Sequence, residues 1–115
     1  MKESKNLLSG YTTMLLLKLL EDKDMYGYEM IEELSKRSDD IFSLKAGTLY
    51  PLLHSLEKDG MINSYERNTD GARVRKYYSI TKNGRKMLNE KTNEWKTNAS
   101  KINQILEGGA KFATV

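Results

Sequence analysis

The stretch AGTLYPLLHSLEKDG, from Ala46 to Gly60, decides the fold. Leu49, Leu52, Leu53 and Leu56 recur at i, i+3, i+4 and i+7, which is one face of an α-helix over Ala46–Lys58. The opposite side carries Lys45, Gly47, Thr48, Tyr50, Pro51, His54 and Ser55, which are mostly small or polar. A helix with an apolar back and a compact polar front suits a B-DNA major groove, which admits one helix. Gly60 is placed to end this helix as a left-handed cap. Pro51 lies inside it, removes one backbone hydrogen bond, and is expected to kink it or tighten its first turn.

Downstream, Met61–Arg67 and Arg73–Ile80 read as two strands joined by turn chemistry at Asn68–Ala72. The second strand puts Val74, Lys76, Tyr78 and Ile80 on one face and Arg73, Arg75, Tyr77 and Ser79 on the other. A lone hairpin is marginal in water, so it must pack on the helices, through Ile62, Tyr78 and Ile80. Thr81 then caps a final helix expected to run to about Glu107, where Gly108 and Gly109 stop it. Upstream, a second helix covers Tyr26–Ser38 with Met30, Ile31 and Leu34 inward. Gly27 in its first turn signals either close approach of another helix or fraying. The first helix covers Asn6–Glu21, and its stripe of Leu8, Tyr11, Leu15 and Leu19 is widened by Met14, Leu16, Leu17 and Leu20. A stripe this wide can face both the core and a partner chain.

The expected fold is therefore mainly α with a small β-hairpin: a winged helix-turn-helix over 1–80 and a long C-terminal dimerisation helix over 81–107. The tail 108–115 is expected to lack fixed structure. At 115 residues, with 38% apolar and 30% charged residues, the chain fits one globular domain without a deep catalytic cleft. It has no cysteine and one histidine, which excludes disulfides and zinc–thiolate sites and leaves no metal ligand set. No Ser-His-Asp set and no Gly-rich phosphate loop is present, so an enzyme is not expected, nor a cofactor. The N-terminus reads as no signal peptide, and the longest apolar run, Met14–Leu17, is too short for a membrane span. These features fit a reducing cytoplasm.

Charge is segregated along the chain. Glu21–Phe42 holds eight acids against three bases, whereas Met61–Lys86 holds seven bases against two acids. A basic stretch is the footprint of a polyanion, although charge alone fits a solvated face equally. With the helix beside it, the expected partner is double-stranded DNA, met by Lys45, Thr48, Tyr50 and His54 on the helix front and by Arg67, Arg73, Arg75 and Lys76 on the hairpin. Tyr50 also fits a structural aromatic at the helix corner. Lys36 and Arg37 can touch phosphates or complement their own helix dipole.

The final helix carries Leu88, Trp95 and Ile102 seven residues apart, with Ala99, Ile105 and Leu106 at intermediate positions. This narrow seam pairs helices, and a helix of roughly 39 Å overruns the domain core. Leu88, Trp95, Ile102, Ile105 and Leu106 are therefore the expected contacts with a second copy. Trp95 either packs that seam or serves with its twofold mate as a shelf for a flat aromatic compound. Leu8, Tyr11, Met14, Leu15, Leu88 and Ala99 are the other candidate lining residues.

Four quoted segments also resemble the PadR-like transcriptional regulators: Tyr26-Gly27-Tyr28, Gly47–Pro51, Leu56–Gly60 and Arg75–Gly84. The resemblance spans roughly Leu8 to Leu106, and the single C-terminal helix resembles the short-tailed subgroup that includes regulators of multidrug export. It implies a bacterial, nucleoid-associated repressor, homodimeric on a palindromic operator, relieved by a drug-like compound in a pore at the dimer interface. One departure concerns the wing tip, where Gly71-Ala72-Arg73 displaces by one residue the Gly-Arg carried by many members.

Overall fold

The computed structural model describes residues 10–114 except 70 and 72, with side chains as far as 108. The elements run α1 (Thr12–Asp22), β1 (Met25–Tyr26), α2 (Gly27–Arg37), α3 (Ala46–Lys58), β2 (Ile62–Thr69), β3 (Arg73–Ile80) and α4 (Lys82–Thr114). Helices predominate, and the strands form one antiparallel sheet in the order β1-β3-β2. Together they make a winged helix-turn-helix with a long C-terminal helix, as the periodicities predict.

The core is aliphatic. Leu16, Leu17, Leu19 and Leu20 of α1 meet Met30 and Leu34 of α2 and Leu49, Leu53 and Leu56 of α3. Ile62, Tyr78 and Leu88 close the cluster from the sheet and α4, while Ile80 packs on it from the side. Ile62 and Tyr78 are the inward hairpin residues that the alternation predicts. Removing a buried leucine such as Leu53 costs about 2–5 kcal/mol, so this cluster holds α3 against the scaffold.

The helix ends follow from local chemistry. Gly60 has φ +78°, its N–H donates to the Glu57 carbonyl at 3.0 Å, and the Met61 N–H donates to Leu56 at 2.9 Å. This Schellman motif ends α3 where the glycine predicts. Thr81 caps α4: its Oγ1 accepts the Gly84 N–H at 3.0 Å and donates to the Gly60 carbonyl at 2.7 Å. The same residue thus ties the start of α4 to the end of α3. Arg37 binds α2 to α1, with Nη1 2.7 Å from Asp22 and Nε 2.9 Å from Glu33. The guanidinium draws both carboxyls below their ordinary range.

Several boundaries differ from expectation. The first helix runs Thr12–Asp22 among the described residues, and Leu8 lies outside them. β1 has no signal in the sequence, because two residues between helices carry no alternation. β2 reaches Thr69, since Asn68 and Thr69 pair with Val74 and Arg73 instead of forming the turn. The displaced wing-tip position, Ala72, lies outside the described residues, as does Asp70. α3 continues through Pro51 as one helix.

α4 does not stop at Glu107: the helix continues through Gly108 and Gly109 to Thr114. A glycine ends a helix when it turns left-handed. Among the described residues only Gly60 and Gly71 do so as glycines. Leu88 is 3% exposed and serves its own core, so it has no face left for a partner. Beyond that core α4 is a projecting rod. The radius of gyration is 17.5 Å, against about 13 Å for a compact chain of this length.

Candidate nucleic-acid interface

The back of α3 is committed to the core, and this fixes what its front presents. Lys45, Gly47, Thr48, Tyr50, Pro51, His54 and Ser55 are all exposed. The N-terminus of α3 opens at Lys45 without a side-chain cap. Its first-turn N–H groups therefore keep their preference for an anion.

An open groove of about 500 Å³ separates α3 from the wing. Tyr28 and Tyr50 line one side, Tyr26 and Gly27 border it, and Arg73, Val74, Arg75 and Lys76 line the other. Three cations, the carboxylate of Glu32 and several phenol rings thus meet in one cleft. The groove exists because β1 is short: it pairs only with Tyr77 and Tyr78, which leaves β3 from Arg73 to Lys76 as a free edge on that side.

Tyr50 is the structural aromatic at the helix corner and is also exposed. It stays 39% exposed at the groove, yet its ring lies against the backbone of Gly27. A Cβ on residue 27 would fall 2.3 Å from the Tyr50 hydroxyl oxygen. Gly27 is therefore a close-approach glycine at the α2–α3 contact, the first of the two readings its sequence position allows. Partial burial pushes the Tyr50 phenol above its ordinary pKa, so it is a neutral hydrogen-bonding group at neutral pH.

The wing cations divide by face. Arg67, Arg73 and Arg75 make no ion pair with a carboxylate among the described residues, whereas the Lys76 ammonium is 4.0 Å from Glu57. Arg75 lies over the Tyr26 ring at 4.2 Å and Arg67 over Tyr77 at 5.2 Å. The Arg75 ring partner is invisible in the sequence, because only the register of β1 brings Tyr26 beside Tyr77, whereas Arg67 meets Tyr77 within the hairpin itself. Tyr50, Arg73, Arg75 and Lys76 therefore gather at one cleft, which does not extend to Lys45, Thr48 or His54, while Arg67 stands on the far strand of the hairpin. On α2, Lys36 lies outside that cleft, and Arg37 is engaged with Asp22 and Glu33.

A second feature lies along α4. Trp95 is 45% exposed and meets Tyr11 edge-on at 6.5 Å and 86°, and Asn98 donates to the Tyr11 hydroxyl at 3.3 Å. Further along, Ile102, Ile105 and Leu106 are 57%, 75% and 72% exposed. Ala99 is half-buried, and Met14 and Leu15 lean on the core from α1. No described helix is long and apolar enough to cross a membrane. No described group of His, Cys, Asp or Glu can hold a metal.

The comparisons agree with this geometry. Residues 16–90 match the model of the transcriptional regulator PadR-like family. An uncharacterised protein of Lysinibacillus sphaericus is 35% identical over 103 residues, which cover 90% of this chain and 94% of that protein. The solved structure of a transcriptional regulator from Clostridium thermocellum superposes with a TM-score of 0.80 at 34% identity, covering 86% of this chain and 96% of the other. A PadR family transcriptional regulator from Eggerthella lenta gives 0.81 at 31% identity, covering 92% and 90%.

Proposed function

The chain belongs to the PadR-like family of transcriptional regulators, and on that premise we propose that it represses transcription as a homodimer on a palindromic operator. It is a regulator and not an enzyme. The observation that carries the reading is the groove between the exposed front of α3 and the unneutralised arginines of the wing. In this reading α3 enters the major groove, with Lys45, Thr48, Tyr50 and His54 facing base edges and phosphates. Arg67, Arg73 and Arg75 reach the adjacent backbone, and Lys76 shares its charge with Glu57.

The partner that covers α4 is a second copy. A strip of Trp95, Ile102, Ile105 and Leu106 left in water is unfavourable, and a twofold pairing buries it against its own equivalent. Such a dimer sets two α3 helices on one DNA face about 34 Å apart, one helical turn. Trp95 retains an open flank toward the twofold. A planar aromatic compound seated between the two indoles, beside Tyr11 and Ala99 and backed by Met14 and Leu15, changes the spacing of the α3 helices if it binds one spacing more tightly. Leu88 is not part of this seam or this site, because its own core occupies it. The short-tailed, drug-responsive type and a bacterial, nucleoid-bound location belong to the same proposal.

Selection of duplexes from a random library, followed by footprinting, tests the reading. The expected result is an inverted repeat with half-sites one turn apart, protected by a dimer. Recovery of no preferred sequence, or protection of a single half-site by a monomer, overturns it. Titration with planar aromatic cations should quench Trp95 fluorescence; no quenching across a panel of them removes the effector site and leaves the DNA reading standing.

A further inference from the structure

Three tyrosines stand abreast on the outer face of the sheet, one from each strand. Tyr26 of β1 pairs with Tyr77 of β3, which pairs with Tyr65 of β2. Their rings touch in sequence: Tyr26 and Tyr77 are edge-on at 5.5 Å, and Tyr77 and Tyr65 are stacked at 5.9 Å. The Tyr65 hydroxyl donates to Asp24 at 2.7 Å, which ties the far strand to the residue just before β1. Toward the tip on the same face, Arg67 is the direct register partner of Arg75.

Like charges directly opposed on an antiparallel pair repel. Among the described residues no carboxylate forms an ion pair with either. Each guanidinium instead lies over a ring, Arg75 on Tyr26 and Arg67 on Tyr77. The ring face carries negative charge, so it holds a cation without neutralising it. The guanidinium donors lie in the plane of the group and remain available to an oxygen.

We propose that Tyr26 and Tyr77 are positioning residues that hold Arg75 and Arg67 as a paired clamp for the phosphate backbone of duplex DNA. The rings fix side chains that mutual repulsion would otherwise spread, and the duplex supplies the negative charge that the pair lacks. The proposal rests on the reading of the wing as a DNA contact.

The test is fluorescence anisotropy of a labelled mixed-sequence duplex at low salt, with the full chain and the variants Arg75→Ala, Tyr26→Leu, Tyr26→Phe and Tyr26→Leu/Arg75→Ala. Tyr26→Leu should weaken binding about two- to fivefold, the range of one exposed cation–π contact. Tyr26→Phe should bind as wild type, and Tyr26→Leu should add nothing once Arg75 is alanine. A loss from Tyr26→Leu that is equal on both backgrounds, or no recovery with Phe, overturns the positioning role. If Arg75→Ala weakens binding but Tyr26→Leu does not, the proposal fails while the DNA reading stands. If Arg75→Ala has no effect, both fail. The wild-type protein gives a second readout that does not depend on how Tyr26→Leu folds. The Arg75 Hδ and Hε resonances should be shifted upfield by the Tyr26 ring current, and random-coil positions for them refute the stack.

Discussion

Replacing Gly84 by alanine should destabilise a helix that alanine ordinarily favours. Gly84 sits in the first turn of α4, three residues after the Thr81 cap. A Cβ there would fall 2.1 Å from the Met61 carbonyl oxygen and 2.7 Å from Ile80 Cγ1. That carbonyl cannot step aside, because it accepts the Thr81 N–H at 3.1 Å and lies next to the Ile62–Ile80 pair of the sheet. Helix propensity alone favours alanine by about 1 kcal/mol. Against this stand overpacking, which costs about 1–3 kcal/mol, and a weakened Thr81 cap, worth about 1 kcal/mol. The expected balance is a net loss of about 1–3 kcal/mol. At Gly108 of the same helix an added methyl group would meet nothing within 4 Å, so Gly108→Ala should gain about 0.5–1 kcal/mol. Urea unfolding followed by far-UV circular dichroism, at one protein concentration, compares the two. If Gly84→Ala is as stable as Gly108→Ala, the close packing of α4 on the α3–β2 junction is wrong.

Gly27→Ala meets the outer edge of the Tyr50 ring first, and an exposed ring can turn aside, so it should cost less than about 1.5 kcal/mol, the range of a displaced rotamer, yet alter operator affinity measurably; unchanged affinity in a gel shift would separate Tyr50 from the DNA face. Arg37→Met should lower the urea midpoint slightly at pH 7 and not at pH 2. Arg37 depresses the Asp22 and Glu33 carboxyls, so the stability it lends is present above their unfolded pKa values near 4 and is lost as pH falls through the lower folded values. Both groups are at the surface, so the effect is small, and an equal loss at both pH values would refute the linkage. Ile105→Glu with Leu106→Glu should shift the proposed dimer to monomer in sedimentation equilibrium while leaving the helix signal of the folded chain, since neither side chain supports the core. A dimer of unchanged strength places the interface elsewhere.

Features fixed by residues close in sequence are legible in the sequence itself. The leucine face of α3, the Gly60 cap and the Thr81 cap each depend on neighbours within a few positions, and each is where its chemistry puts it. Features that depend on distant partners are not legible. β1 exists only because Met25 and Tyr26 find the edge of β3, and the tyrosine row follows from that register. Leu88 carries the same seven-residue spacing as Trp95 and Ile102, but only the packed chain shows that the first turns of α4 belong to the core and the later ones do not. Gly108 and Gly109 mislead for another reason: a glycine permits a helix end but does not impose one. Gly27 and Gly84 meet backbone or ring atoms that lie far away in the chain, so sequence alone signals at most a contact and not its partner.

The proposed grip of α3 and the arginine wing on duplex DNA has a direct signature in its dependence on salt. The affinity of the wild-type chain for its selected duplex, followed across salt concentrations beside the double variant Arg67→Ala/Arg75→Ala, tests it most directly. Each phosphate contact contributes about 0.9 to the slope of log K against log salt. Wild type should show a steep linear fall, and the variant a slope shallower by about 1.8, from the two lost contacts. Binding that is insensitive to salt, or a variant slope equal to that of wild type, would contradict it.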